Sequence, residues 1–169
     1  VLIACGAIAL WASTLKIPDI GSLTDRKEIQ STKIYDRTGT VLLDDLGGDV
    51  TRTAVPIAQI SPYIQEATIS IEDQDFYSHH GIKITSIIRA VLKDVITGDR
   101  AQGGSTITQQ FVKNSLLTNE KTFVRKVKEV ILSLEIEQKF SKDEILSMYL
   151  NDMPYGSNAY GVEAASQTS

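Results

Sequence analysis

The sequence predicts a mainly α-helical domain preceded by a short β-hairpin. Three observations lead there. Apolar residues recur at three- and four-residue spacing in the segments 62–72, 84–97, 105–116 and 121–139. Helix-start signals, Ser61-Pro62 and Ser141-Lys142-Asp143-Glu144, stand ahead of residues 62 and 142. A hairpin pattern is confined to the stretch around Gly39.

The elements follow in order. VLIACGAIALWASTL, residues 1–15, carries no charge. A membrane span needs roughly 20 apolar residues. Residues 1–15 are therefore expected to be the C-terminal part of a transmembrane helix that starts before Val1, with Trp11 near an interface. A cleaved signal peptide and a lipoprotein signal around Cys5 are the competitors; the apolar run from Gly6 to Leu15 speaks against the second. Residues 16–32, polar with Pro18 and Gly21, read as a linker. Ile34 and Tyr35, a turn at Gly39, then Val41 and Leu42 give the hairpin. Ser61 caps a helix with Pro62 at its first position, running to about Glu72. Ile84, Ile87, Ile88, Val91, Leu92 and Val95 predict a helix over 84–97 that Gly98 can end. Another follows over 105–116. The helix over 121–139 is expected to bury Phe123, Val124, Val127, Val130, Ile131 and Leu134. A capping box at Ser141 starts a helix to about Asn151. A last helix begins near Asn158 and still runs at Ser169, so a domain over 33–169 is read as truncated at its C-terminus.

Composition narrows the function classes. At 169 residues and 42% apolar, the chain can bury a core and is not a disordered one. A net charge of −4 gives no nucleic-acid footprint, so no nucleic-acid partner is expected. Yet residues 113–142 hold seven basic side chains against four acidic ones. Cys5 is the only cysteine, which rules out an intramolecular disulfide. No His/Cys pattern has zinc-ligand spacing.

Three stretches could carry chemistry. In GGSTITQQFVKN, 103–114, the polar residues Thr106, Gln109, Gln110 and Lys113 recur at helical spacing. They fall within an arc of roughly 100°, away from Ile107 and Phe111. Gly103 and Gly104 would let backbone N–H groups approach an anion at the helix N-terminus. Ser105 and Thr106 add hydroxyls, the two amides suit sugar groups, and Lys113 offers a point charge for phosphate. In IEDQDFYSHHG, 71–81, the acids Glu72, Asp73 and Asp75 end an apolar helix, against the macrodipole. A solvated loop start is one reading. The other is a general base, partly desolvated by apolar neighbours and steadied by cations. In TFVRKVKEV, 122–130, Glu129 lies one turn beyond Arg125 and Lys126. This is either a surface ion pair or a group that binds phosphate, directly or through a bridging metal.

Taken in order, E72-D73-x-x-F76-x-x-H79-x-G81, GGSTITQQ-x-x-KN at 103–114, RKVKE at 125–129 and K-D-E-I-L-S-M-Y-L-N at 142–151 resemble the motifs of peptidoglycan glycosyltransferases. These form the glycosyltransferase domain of class A penicillin-binding proteins and the monofunctional enzymes. The similarity covers about residues 33–169. Gln74-Asp75 stands where the family often has basic residues.

The resemblance implies a lysozyme-like helical fold on the extracytoplasmic side of the bacterial cytoplasmic membrane, held by a single span. It implies polymerisation of lipid II with inversion and release of polyprenyl pyrophosphate. The growing glycan strand would be the donor and the 4-hydroxyl of lipid II's N-acetylglucosamine the acceptor. By position, Glu72 matches the catalytic base and Glu129 the second essential glutamate. Lys113, Arg125 and Lys126, with Lys121 more weakly, fall where pyrophosphate ligands are expected. Gly104, Ser105, Thr106, Gln109, Gln110 and Asn114 belong to the substrate-binding motif. Asp73, Phe76, His79 and Gly81 are expected to shape the cleft. Glu144 matches the fourth motif, although a capping box explains it equally well. No organic cofactor is expected, and a divalent cation (Mg or Mn) is left open. Other cell-wall synthesis proteins are candidate partners. The rival readings are a lysozyme-like glycan-cleaving enzyme and a truncated module that binds lipid II without turnover.

Overall fold

A computed structural model describes residues 14–21, 33–45, 51–84, 104–118, 120, 122–156 and 158–168. Their elements are β1 (Lys33–Tyr35), β2 (Leu42–Asp45), β3 (Thr51–Arg52), a 3-10 turn (Ile57–Gln59), α1 (Pro62–Glu72), α2 (Ile107–Ser115), α3 (Phe123–Lys139), α4 (Lys142–Asp152), β4 (Ala159–Tyr160) and α5 (Val162–Thr168). The mainly helical class holds. Of the helix expected over 84–97 only Ile84 is described, and it is 67% exposed; the rest of that helix and the apolar run 1–13 lie outside the described residues. Among the described residues no helix is long and apolar enough to cross a membrane.

The hairpin forms where the turn chemistry puts it. β1 and β2 pair antiparallel, with a register shift between Ile34 and Tyr35. Asp36 closes the turn by accepting the Thr38 hydroxyl and the Thr40 and Val41 N–H groups. β3 instead pairs in parallel with β4, a strand that the sequence does not announce. Gly161, just after β4, has φ 85°, and a Cβ there would meet the Asn151 carbonyl oxygen at 2.6 Å. That close approach, not a continuous helix from 158, shapes the C-terminal stretch.

α2 is the central element, packed against both α3 and α4. Ile107, Phe111 and Val112 face Leu132, Ile136, Ile145, Leu146 and Leu150 in one core that also takes Phe76. Each of α2, α3 and α4 has its cap. Thr106 and Ser141 form capping boxes with Gln109 and Glu144, and the Thr122 side chain accepts from Arg125 N–H. Glu144 is exposed, and its bonds from Ser141 N–H and hydroxyl hold its carboxyl below the usual range. The cap accounts for its place in the motif.

The buried face of α3 differs from the expected arc. Glu129, Leu132, Ser133 and Ile136 are buried, whereas Phe123 is 74% exposed, and Val124 and Leu134 are also exposed. Val127, Val130 and Ile131 are half-buried, and Leu132 and Ile136 share the core side with a carboxylate and a hydroxyl. Both are satisfied in place: Arg125 and Lys126 pair with Glu129, and the Ser133 hydroxyl donates to Glu129 O.

The acids at the end of α1 are reconciled by a buried junction. Asp73, the C-cap of α1, is 2% exposed. Its Oδ2 accepts from Ile107 N–H at 3.0 Å and contacts His79 Nε2 at 2.8 Å. Lys83 Nζ lies 2.7 Å from its Oδ1 and 3.2 Å from Asp75. Ile107 is the first residue of α2, so this carboxylate sits at the positive end of α2. What α1 opposes, α2 and two basic side chains supply. Beside it, Gly81 has φ 80°, and a Cβ would come within 2.8 Å of Ser133 O and 2.9 Å of Glu137 Cγ. Its carbonyl accepts the Thr106 hydroxyl at 2.6 Å.

Two consequences can be measured. Gly81→Ala combines left-handed strain with a backbone clash and is expected to cost about 2–4 kcal/mol in urea unfolding. Burial opposes the Lys83 ammonium, but hydrogen bonds to Asp73 and Asp75 outweigh it and hold its pKa above the ordinary 10.5. A folded-state pKa raised in this way contributes stability below the unfolded value, lost as pH rises through the folded one. Unfolding free energy should therefore decline above about pH 10.5 more steeply in the wild type than in Lys83→Met, checked by urea titrations across that range.

Candidate active site

Glu72 is the last residue of α1, one position before the buried Asp73. It is exposed, and so is Ile71, at 80%. The expected desolvation by apolar neighbours is therefore not what surrounds it. Its steadying contact is a neutral amide: Gln110 Nε2 donates to Glu72 Oε2 at 2.7 Å. The Tyr149 hydroxyl donates in turn to Gln110 Oε1 at 3.2 Å. Burial, with the charge of Glu72 adding to it, pushes the phenols of Tyr149 and Tyr155 upward, so both stay protonated at neutral pH.

The polar stripe of α2 divides. Thr106 and Gln109 are 1% and 3% exposed. The Thr106 side chain takes Gln109 N–H and gives its proton to Gly81 O, while Gln109 Oε1 accepts from Thr106 N–H. Both are occupied in holding the start of α2. Of the backbone N–H groups at the start of α2, where an anion was expected, that of Ile107 is occupied by Asp73. Gln110 and Lys113, one turn apart, remain half-buried on the accessible side. Lys113 forms no ion pair among the described residues. Asn114 is exposed and donates to Met153 Sδ. Gly104 is exposed, and Ser105 accepts from Lys126 Nζ at 3.2 Å. Lys121 lies outside the described residues.

Glu129 is 2% exposed and bears two cations. Arg125 Nη1 reaches its Oε2 at 2.5 Å, and Lys126 Nζ pairs with its Oε1. Each carboxylate oxygen therefore carries one cation. Among the described residues no group of three or more His, Cys, Asp or Glu could hold an ion. The trio carries one net positive charge, with the Lys126 side chain 43% exposed. Next to it, a cavity of about 620 Å3 is lined by Ile17, Leu116, Val124, Arg125 and Lys128 among others.

Behind the site, Phe76 is fully buried, with Lys142 Nζ 4.5 Å from its ring centroid and the His79 ring edge-on at 6.3 Å. Lys142 also pairs with Glu137, which accepts the Thr108 hydroxyl at 2.6 Å. Asp73, Phe76, His79 and Gly81 thus form the wall that fixes Glu72 and α2. Tyr149, Tyr155 and Lys83 have places here that the sequence reading did not assign. A tyrosine on the apolar stripe of α4 was the available signal, because a buried hydroxyl needs a partner.

The family described as Transglycosylase matches residues 39–169. The chain is 45% identical over 138 residues to penicillin-binding protein 1F of Bacillus subtilis, covering 80% of this chain and 19% of that protein. It is 41% identical over 152 residues to penicillin-binding protein 1A of Escherichia coli, covering 90% and 18%. With penicillin-binding protein 1A of Rickettsia bellii it shares 40% over 171 residues, covering 98% and 21%. The chain spans about a fifth of the length of these relatives. With an accessible carboxylate held by an amide at the end of α1, a cationic trio on α3, and a family match over most of its length, the chain belongs to the transglycosylase family, the peptidoglycan glycosyltransferase domain of class A penicillin-binding proteins.

Proposed function

We propose that this domain polymerises lipid II into β-1,4-linked glycan at the outer face of the bacterial cytoplasmic membrane, with Glu72 as general base. The observation that supports this best is the state of Glu72. One oxygen accepts from Gln110, and Oε1 receives no hydrogen bond from a described residue. A donor N–H against a solvent-facing carboxylate suits a group that accepts a proton. A glycan-cleaving enzyme needs instead a protonated carboxyl in an apolar pocket.

The step balances with these residues. The acceptor 4-hydroxyl attacks the anomeric carbon of the donor and its proton passes to Glu72. The new glycosidic bond forms on the face opposite the breaking carbon–oxygen bond to pyrophosphate. Lys113 and the positive Arg125–Lys126–Glu129 trio neutralise the charge that develops there. Pyrophosphate leaves without a strong acid, so no second protonated carboxyl is required. Glu129 acts by fixing the two cations. The apolar-lined cavity at Ile17, Leu116 and Val124 offers room for the first prenyl units of the donor.

Labelled lipid II with the full-length protein in detergent tests the reading. Wild type should yield polymer that muramidase digests, with activity falling on acidification. Glu72→Gln should lose about 100-fold or more, the usual contribution of a general base. Lipid II bound equally by both proteins, with no polymer from either, would favour a non-catalytic module. Lys113→Ala and Lys142→Ala should separate. The first is expected to lose activity at unchanged thermal stability. The second should lose stability, because it strips the partner from a carboxylate only 4% exposed.

A further inference from the structure

The contact on Glu72 depends on which way the Gln110 amide faces. Both ends of that amide are bonded: Nε2 to Glu72 at 2.7 Å and Oε1 to the Tyr149 hydroxyl at 3.2 Å. A flipped amide would put a carbonyl oxygen against a carboxylate oxygen, with no proton between them. Gln110 alone does not prevent this, since its side chain is half-buried and its terminal torsion is soft. Tyr149 lies on a different helix, is 5% exposed, and reaches the amide from behind.

From this geometry we infer that Tyr149 is a positioning residue for the transfer reaction, acting through Gln110 to hold an N–H donor on Glu72 Oε2 and leave Oε1 for the acceptor hydroxyl. The inference rests on Glu72 as the base. A phenol can play the part only while it keeps its proton. Burial and the nearby charge of Glu72 both disfavour the phenolate, so Tyr149 donates throughout the neutral range. Gln110 bonds Glu72 directly, and the phenols of Tyr149 and Tyr155 feel its charge. Neither changes charge near neutral pH. Any movement of the pH–rate profile on removing the Tyr149 hydroxyl therefore reports on the carboxylate, through the amide. The same reasoning separates Tyr149 from an ordinary core tyrosine, whose loss would alter stability without touching the base.

The test is a cycle of Tyr149→Phe, Gln110→Ala and the double variant in the full-length protein, with labelled lipid II in detergent, and with Glu72→Gln as control. Tyr149→Phe keeps the ring and removes one hydrogen bond. It is expected to lower kcat about three- to tenfold with KM for lipid II unchanged, the range that one such bond spans. The acid limb of its pH–rate profile should move to higher pH. Tyr149→Phe should cost nothing further in the Gln110→Ala background, because the relay is already cut. Multiplying losses in the double variant, or an unchanged pH profile in Tyr149→Phe, would overturn the inference. A loss of kcat that tracks a lowered Tm would also overturn it and leave a packing role. Polymer from Glu72→Gln at the wild-type rate would sink the reading of Glu72 itself, whatever Tyr149 does.

Discussion

Asp73 accepting the first N–H of α2 is the contact from which the site is built. A carboxylate at the end of one helix and the open N–H of another are each unfavourable alone. Placed together, out of water, they satisfy one another. Lys83 and His79 complete the junction, so the buried charge is compensated on both oxygens. Breaking such a buried arrangement by removing one partner costs about 3–5 kcal/mol. The consequence is geometric. Glu72 is the neighbour of Asp73 along the chain, and Gln110 lies one turn beyond Ile107, so fixing one pair brings the other into hydrogen-bond range.

Electrostatics then sorts the cations into two classes. Lys83, Lys142, Arg125 and Lys126 are tied to carboxylates that are almost wholly buried. Their charges hold the walls of the site and set its potential. Lys113 has no carboxylate partner among the described residues. The Arg125–Lys126–Glu129 trio, with one net positive charge, and the Lys113 ammonium suit a ligand whose negative charge grows during reaction. Glu129 has a structural logic in this scheme: two cations on adjacent positions of one helix repel, and the carboxylate between them holds both in place.

Much of this was legible beforehand. Pro62 at the first position of α1, the Ser141 capping box and the Gly39 turn depend on local backbone chemistry, and each element formed where its residues demanded. The stripe on α2 was legible as a pattern but not in its purpose. A capping threonine and a substrate-binding threonine look alike until the partner of the hydroxyl is known, and here it is Gly81 O.

The family, the helical class and the positions of Glu72 and Glu129 follow from residue identity and spacing alone, because chain-local geometry fixes which side chains share a helix face. The inward face of α3, the occupation of the α2 N-terminus by Asp73, and the Tyr149–Gln110–Glu72 chain belong to tertiary structure. Each joins residues 34 to 39 positions apart in sequence, or turns on which neighbour can neutralise a buried charge. Periodicity counts apolar side chains and cannot see a carboxylate made buriable by its partners.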